Sequence, residues 1–222
     1  MSTFNGYTQQ TFEFFMALRY NNNREFFHAN YEWYLKSVRE PSLALIEQLS
    51  PFMAEIDPDM DLRAYRVLSH INRDIRFARD KSPYKDYIWF RFRAEPTAEC
   101  NSPGFFFDLS DNGANVGMGL YRLKAAQKKA FRTSLLQNSG AWLELLEPLS
   151  GIYHPEFELQ ERISPPAELP EALRFLYCAQ GFWFGRGIND FELLKSAALA
   201  DAVKQDFSRL RPLFEQIKKL AL

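Results

Sequence analysis

Phe105-Phe106-Phe107-Asp108-Leu109-Ser110-Asp111-Asn112-Gly113-Ala114-Asn115-Val116-Gly117-Met118-Gly119-Leu120-Tyr121 decides the fold class. Phe105, Phe107 and Leu109 occupy alternate positions, and so do Val116, Met118 and Leu120. Alternation with period two is the mark of a strand with one buried face, and Asp111-Asn112-Gly113 between the runs is a turn signal. Upstream, Ile88, Phe90 and Phe92 alternate with Trp89, Arg91 and Arg93. Further upstream, Tyr65, Val67, Ile71 and Ile75 alternate with Arg66, Leu68, His70 and Asn72, although Ser69 and Arg73 interrupt the apolar side. Consecutive strands joined by short turns predict an antiparallel meander, because parallel neighbours need long crossovers.

On either side of these strands the period changes to that of a helix. Phe12, Phe15 and Met16 form one face before Asn21-Asn22-Asn23, which breaks the helix and offers an N-cap to the next. Phe27, Tyr31, Tyr34, Leu35 and Val38 recur at helical steps until Pro41, where a helix end is expected. Leu45, Ile46, Leu49, Phe52, Met53 and Ile56 mark a third helix, stopped by Asp57-Pro58-Asp59. Helices are expected again at 123–138, 141–149, 171–179 and 199–220, the last with Val203, Leu210, Leu213, Phe214 and Ile217 inward. The expected architecture is α+β: a single domain over residues 1–222, with an antiparallel sheet in the middle of the chain packed by N-terminal and C-terminal helices.

Composition narrows the function classes. With 222 residues, 46% apolar and 25% charged, the chain reads as an ordinary globular protein, and a net charge of −1 argues against a generally basic nucleic-acid binder. Phenylalanine is the outlier at 21 residues, against 10 Tyr and 4 Trp, and fits a core filled with large rings. Cys100 and Cys178 show no paired spacing, which favours thiols over a disulfide framework. No secretory leader is evident in the first twenty residues, and no apolar run approaches the roughly 20 residues of a spanning helix. A cytoplasmic location without membrane contact is the expectation.

Charge is unevenly placed. Residues 66–93 carry Arg66, Arg73, Arg76, Arg79, Lys81, Lys85, Arg91 and Arg93 against only Asp74, Asp80 and Asp86. Pro83 biases Ser82 toward extended backbone, so the end of the run is a loop. Arginine offers planar paired donors and lysine a mobile point charge, a combination suited to phosphate or carboxylate. Arg66, Asn72, Arg73, Asp74, Arg76, Lys81, Tyr84 and Lys85 are therefore the candidate ligand-binding residues. Tyr121 joins them as a hydroxyl on the strand face of Gly117 and Gly119, where glycine implies a close approach by a packed helix or a ligand. An internal ion-pair lattice explains the same residues, with Asp74 and Asp80 neutralising Arg73, Arg76 or Lys81. Acid–base work by these aspartates is disfavoured, because neighbouring guanidinium groups keep them ionised. Tyr84 or Lys81 is the better proton donor.

The run Asn72-Arg73-Asp74-x-Arg76-Phe77-x-x-Asp80-Lys81-Ser82-Pro83-Tyr84-Lys85 resembles the signature of the conserved family known as domain of unknown function 2461. Phe14-Phe15-x-x-Leu18, the Asn-rich turn before Phe26-Phe27, Pro103-Gly104-Phe105-Phe106-Phe107 and Val116-Gly117-x-Gly119-Leu120-Tyr121 are similar to other parts of that family, so the likeness runs from about residue 12 to 215. Phe26-Phe27 stands where the family often has Trp-Phe, and Ala78 where Ser is frequent. The resemblance implies an intracellular α+β protein and no particular reaction.

Other chemistry has little support. His28, His70 and His154 are scattered, with neither HExxH nor a Cys/His cluster to bind zinc. Gly117-x-Gly119 and Gly185-x-Gly187 lack the third glycine of a dinucleotide loop, and neither GxxxxGK[ST] nor GxSxG occurs. No cofactor is therefore expected. Glu144 and Glu147 read as solvated on a helix, and Lys218-Lys219 suit a helix C-terminus. Three functions remain open: a site for a phosphorylated or carboxylated small molecule, a structural or interaction module, and nucleic-acid binding with Tyr87 or Trp89 stacking on bases. Whether the chain is an enzyme stays open with them.

Overall fold

A computed structural model of the chain describes residues 3–76, 79–96, 100–159 and 163–220. It is α+β, with helices before and after a five-stranded antiparallel sheet. The strands are β1 (Tyr87–Arg93), β2 (Gly104–Ser110), β3 (Gly113–Leu120), β4 (His154–Leu159) and β5 (Ala179–Ile188), in the order β1-β2-β3-β5-β4. The expected hairpin at Asp111-Asn112-Gly113 joins β2 to β3, with Gly113 at φ +121°, a backbone that side chains rarely adopt. The chain folds as two compact units, residues 1–92, 106–116 and 187–204 in the first and residues 93–105, 117–186 and 205–222 in the second.

In the first unit, α1 (Gln9–Tyr20) buries Phe12, Phe14, Phe15 and Leu18. Asn23 then caps α2 (Arg24–Ala29), its Oδ1 accepting from the Phe26 N–H at 2.8 Å, as the Asn triplet led one to expect. The helix expected to end at Pro41 does not. After α3 (Tyr31–Tyr34) the backbone takes a π-helical turn over Leu35–Arg39 and runs on into α4 (Glu40–Ile56). Pro41 has no N–H to give the Ser37 carbonyl four residues back, and the Thr11 hydroxyl donates to that carbonyl instead at 2.6 Å. Pro51 also lies inside α4, and Asp57 closes the helix. The core of this unit is aromatic: Tyr7 lies parallel to Phe107 at 6.4 Å, and Phe90 stacks on Phe107 at 5.2 Å.

The strand expected over 65–75 is not formed. Ala64–Val67 is a single helical turn, α5, and the residues after it make only isolated bridges, Leu68 to Phe90 and Asn72 to Tyr84. Arg73 N donates to Pro83 O at 2.9 Å and Lys85 N to Ile71 O at 2.8 Å. The pairing goes no further: Pro83 has no N–H to donate, and Ser69 and Arg73 break the apolar face a strand would bury.

In the second unit, α6 (Ala125–Gln137), α7 (Ser139–Leu146), α8 (Glu171–Cys178) and the later turns of α10 (Leu199–Lys219) bury Phe131, Leu135, Trp142, Leu173, Leu176, Phe207, Leu210 and Phe214. Phe131 stacks on Phe182 of β5 at 5.4 Å, and Phe105 meets Phe207 and Phe214 at 4.9 Å each. Strands β4 and β5 pair antiparallel from His154–Gly185 to Glu158–Gly181 and were not expected from the sequence. Strand β5 also neighbours β3 and accounts for Gly119, where a Cβ would lie 2.4 Å from Trp183 Cβ and 2.5 Å from Phe182 O. The close approach comes from the neighbouring strand, not from a packed helix.

Candidate functional site

The inner end of the basic segment is held by the first two helices. Tyr84 is buried, and its ring stacks on Phe27 of α2 with centroids 4.1 Å apart. Asn22, in the turn between α1 and α2, brackets the Tyr84 backbone: its Oδ1 accepts from Tyr84 N at 3.1 Å and its Nδ2 donates to Tyr84 O at 3.0 Å. The Arg73 guanidinium donates to the same carbonyl through Nε and Nη2, each at 3.3 Å. Arg73 Nη2 also stands 3.2 Å from the Asp80 carboxylate and 3.8 Å from that of Asp86. Asp86 in turn accepts from Arg19 Nε at 2.9 Å, and Arg19 Nη2 reaches the nearly buried Asp111 carboxylate at 2.5 Å. Helix α1, the basic segment and the β2–β3 turn are thus tied through Arg19, Asp86 and Asp111 into one chain of ion pairs.

The other expected residues distribute around this centre. Arg66 is exposed on α5 and faces Asp61, 3.3 Å away, whose carboxyl is held down at about 2 chiefly by hydrogen bonds from Arg63. Asp74 and Arg76 are exposed and pair with each other, Arg76 Nε and Nη2 donating to the two carboxylate oxygens at 2.9 and 2.7 Å. These bonds hold the Asp74 carboxyl down at about 2. The Asp80 carboxyl is lowered too, mainly by the Ser82 hydroxyl and backbone N–H. Both aspartates are therefore anionic at neutral pH and unsuited to proton donation. Lys81 Nζ donates to Ile75 O at 2.9 Å, and Lys85 Nζ to His70 O. Partial burial, reinforced by Arg73, pushes the Lys85 ammonium below the usual lysine range. Lys85 Nζ also lies 5.9 Å from the centroid of the exposed Trp89 ring. Phe77 and Ala78, within the same run, lie outside the described residues.

Tyr121 belongs to the second unit. It follows β3, and β2 stands between β3 and β1 in the sheet. Its ring is exposed and carries the Arg122 guanidinium 5.2 Å from its centroid. The structure thus brings Asn72, Arg73, Tyr84 and Lys85 together at the base of the loop and sets Asp74, Arg76 and Lys81 on its outer part. Sequence reasoning missed the partners Arg19, Asn22 and Asp111, which come from other elements and carry no local signal. It also missed a buried centre in the second unit. There Arg186 grips the wholly buried Asp206 carboxylate with Nε and Nη2 at 2.7 and 2.6 Å, and the Tyr153 hydroxyl donates to it at 2.6 Å. Burial and the Asp206 carboxylate push the Tyr153 hydroxyl pKa far up, so it stays protonated and serves as a donor.

Among the described residues no three His, Cys, Asp or Glu side chains converge in a way that could hold a metal, and no helix is long and apolar enough to cross a membrane. Neither Cys100 nor Cys178 is in a disulfide.

An aromatic-cored α+β chain whose basic segment is knotted to its first helices is the class that fold and site define. The chain belongs to the family of conserved hypothetical proteins DUF2461, whose model matches residues 10–215. No curated protein matches it.

Proposed function

We propose that this chain binds a small phosphate- or carboxylate-bearing molecule, and that the basic segment contributes through its outer cations Arg76, Arg79 and Lys81. The supporting observation is a division of labour within the segment. Tyr84, Asn22 and Arg73 immobilise the base of the loop. Arg76, Arg79 and Lys81 are all exposed on its outer part, and Arg79 has no hydrogen-bond or ion-pair partner among the described residues. A fixed base lowers the ordering cost of collecting three cations on one ligand. Calorimetric titration with inorganic phosphate, sulfate and succinate tests this. Saturable binding that R76E and K81E remove, at unchanged melting temperature, supports the reading. Absence of binding to every probe contradicts it.

One observation favours the purely structural alternative: Arg73, at the centre of the segment, is satisfied within the chain by Tyr84 O, Asp80 and Asp86. On that reading R73E lowers the melting temperature, and the anions have no effect on any variant.

A further inference from the structure

Helix α6 carries a second group of cations with a different character. Ala125, Lys128, Lys129, Arg132, Thr133 and Leu136 follow the spacing i, i+3, i+4, i+7, i+8, i+11, which places them on one face of the helix. On most helices this face is an apolar stripe turned to the core. Here the same six residues, with Tyr177 of α8, line a cavity of about 530 Å³.

Arg132 is fixed against Tyr177. Its Nε donates to the Tyr177 carbonyl at 2.9 Å, and its guanidinium lies 5.4 Å from the centroid of the Tyr177 ring. The Lys128 and Lys129 side chains make no hydrogen bond or ion pair among the described residues. No Asp or Glu is among the described residues that line the cavity. Lys128 and Lys129 are like charges bordering one cavity, and an anion placed between them relieves their mutual repulsion. The size is that of a small-molecule site, larger than a bare oxyanion fills. Ala125, Leu136 and the Tyr177 ring supply apolar wall for the remainder.

We infer that this cavity binds a small organic phosphate. Lys128, Lys129 and Arg132 receive the phosphate, the Thr133 hydroxyl supplies a further donor, and the body of the ligand lies against Ala125, Leu136 and Tyr177. The site is separate from the basic segment and does not depend on it.

Isothermal titration of the full chain at about 0.15 M salt tests this, with AMP, glucose 6-phosphate and adenosine as probes. The expected result is saturable binding of AMP, glucose 6-phosphate or both, and none of uncharged adenosine. Which phosphate binds tighter identifies the body the cavity prefers. K128Q/K129Q, at exposed or half-exposed helix positions, weakens that binding about tenfold or more, because charge-assisted hydrogen bonds to the phosphate are lost. K128R/K129R retains it. R76E/K81E leaves it unchanged, which separates this site from the outer loop of the basic segment. Failure of both phosphates to bind overturns the inference, and so does wild-type affinity in K128Q/K129Q. Tighter binding of a single-stranded oligonucleotide than of either phosphate, with a steep salt dependence, also overturns it in favour of a nucleic-acid surface.

Discussion

The segment 66–93 and the face of α6 are both rich in Lys and Arg, yet their charges are used differently. In the segment Arg73 divides its guanidinium between a carbonyl and two carboxylates, Arg76 is closed on Asp74, and Lys81 and Lys85 donate to backbone carbonyls. On α6 the Lys128 and Lys129 side chains have no such partners among the described residues and border a cavity. Counting charge along the chain points to the first region. Counting charge left after pairing among the described residues points to Arg79 in the first and to Lys128 and Lys129 in the second. Density of cations in a sequence therefore measures what a segment holds, and pairing decides what it can offer to a ligand.

If pairing is the distinction, removing a paired charge costs stability in proportion to its burial, and removing an unpartnered one costs only binding. The largest loss is expected at the buried pair of the second unit. Asp206→Ala removes the buried carboxylate to which Arg186 and the Tyr153 hydroxyl donate and should cost about 3–5 kcal/mol, read by denaturant unfolding. Arg73→Met removes a half-buried guanidinium that bridges Tyr84 O and Asp80, and a loss of about 1–2 kcal/mol is expected by the same measurement. A loss as large as that of Asp206→Ala would show that exposure does not grade these pairs.

Acid should open the first region's pairs over a defined window. The Asp61 carboxyl, which faces Arg66, is lowered from an ordinary 3.8 to about 2, chiefly by hydrogen bonds from Arg63. A carboxyl lowered in the folded state contributes stability above its ordinary value and loses it as pH falls toward the folded one. The melting temperature should thus fall between about pH 4 and pH 2, and Asp61→Asn should flatten part of that fall. A flat profile in the wild type would remove the pairs from the stability of this region. The smallest effects on stability are expected where charge is exposed or unpartnered: Arg76→Ala and K128Q/K129Q should melt as the wild type does, and a clear drop in either would break the comparison.

Local periodicity carried the fold where one face of an element is buried. Phe105, Phe107 and Leu109 announced β2, and Val116, Met118 and Leu120 announced β3. Strand β5 was hidden because Gln180 and Arg186 flank Phe182 and Phe184 on their own face and the other face carries the glycines Gly181, Gly185 and Gly187, of which Gly181 admits Arg122 N 2.9 Å from where a Cβ would stand. Pro41 misled because a π turn before it lets the helix continue. The base of the basic segment was legible in its residue types, but the choice of Arg19, Asn22 and Asp111 as partners is long-range and leaves no trace in spacing. The stripe on α6 was legible in principle, since Lys128, Lys129, Arg132 and Thr133 obey helical spacing. That Lys128 and Lys129 find no carboxylate among the described residues is a property of the folded chain alone.

An amide-resolved NMR titration of the labelled chain with AMP tests the contrast most directly. Saturable shifts over Lys128–Thr133 and at Tyr177, with Arg73 and Tyr84 unmoved, are the predicted result. Shifts centred on Arg73 and Tyr84, with α6 unmoved, would contradict it.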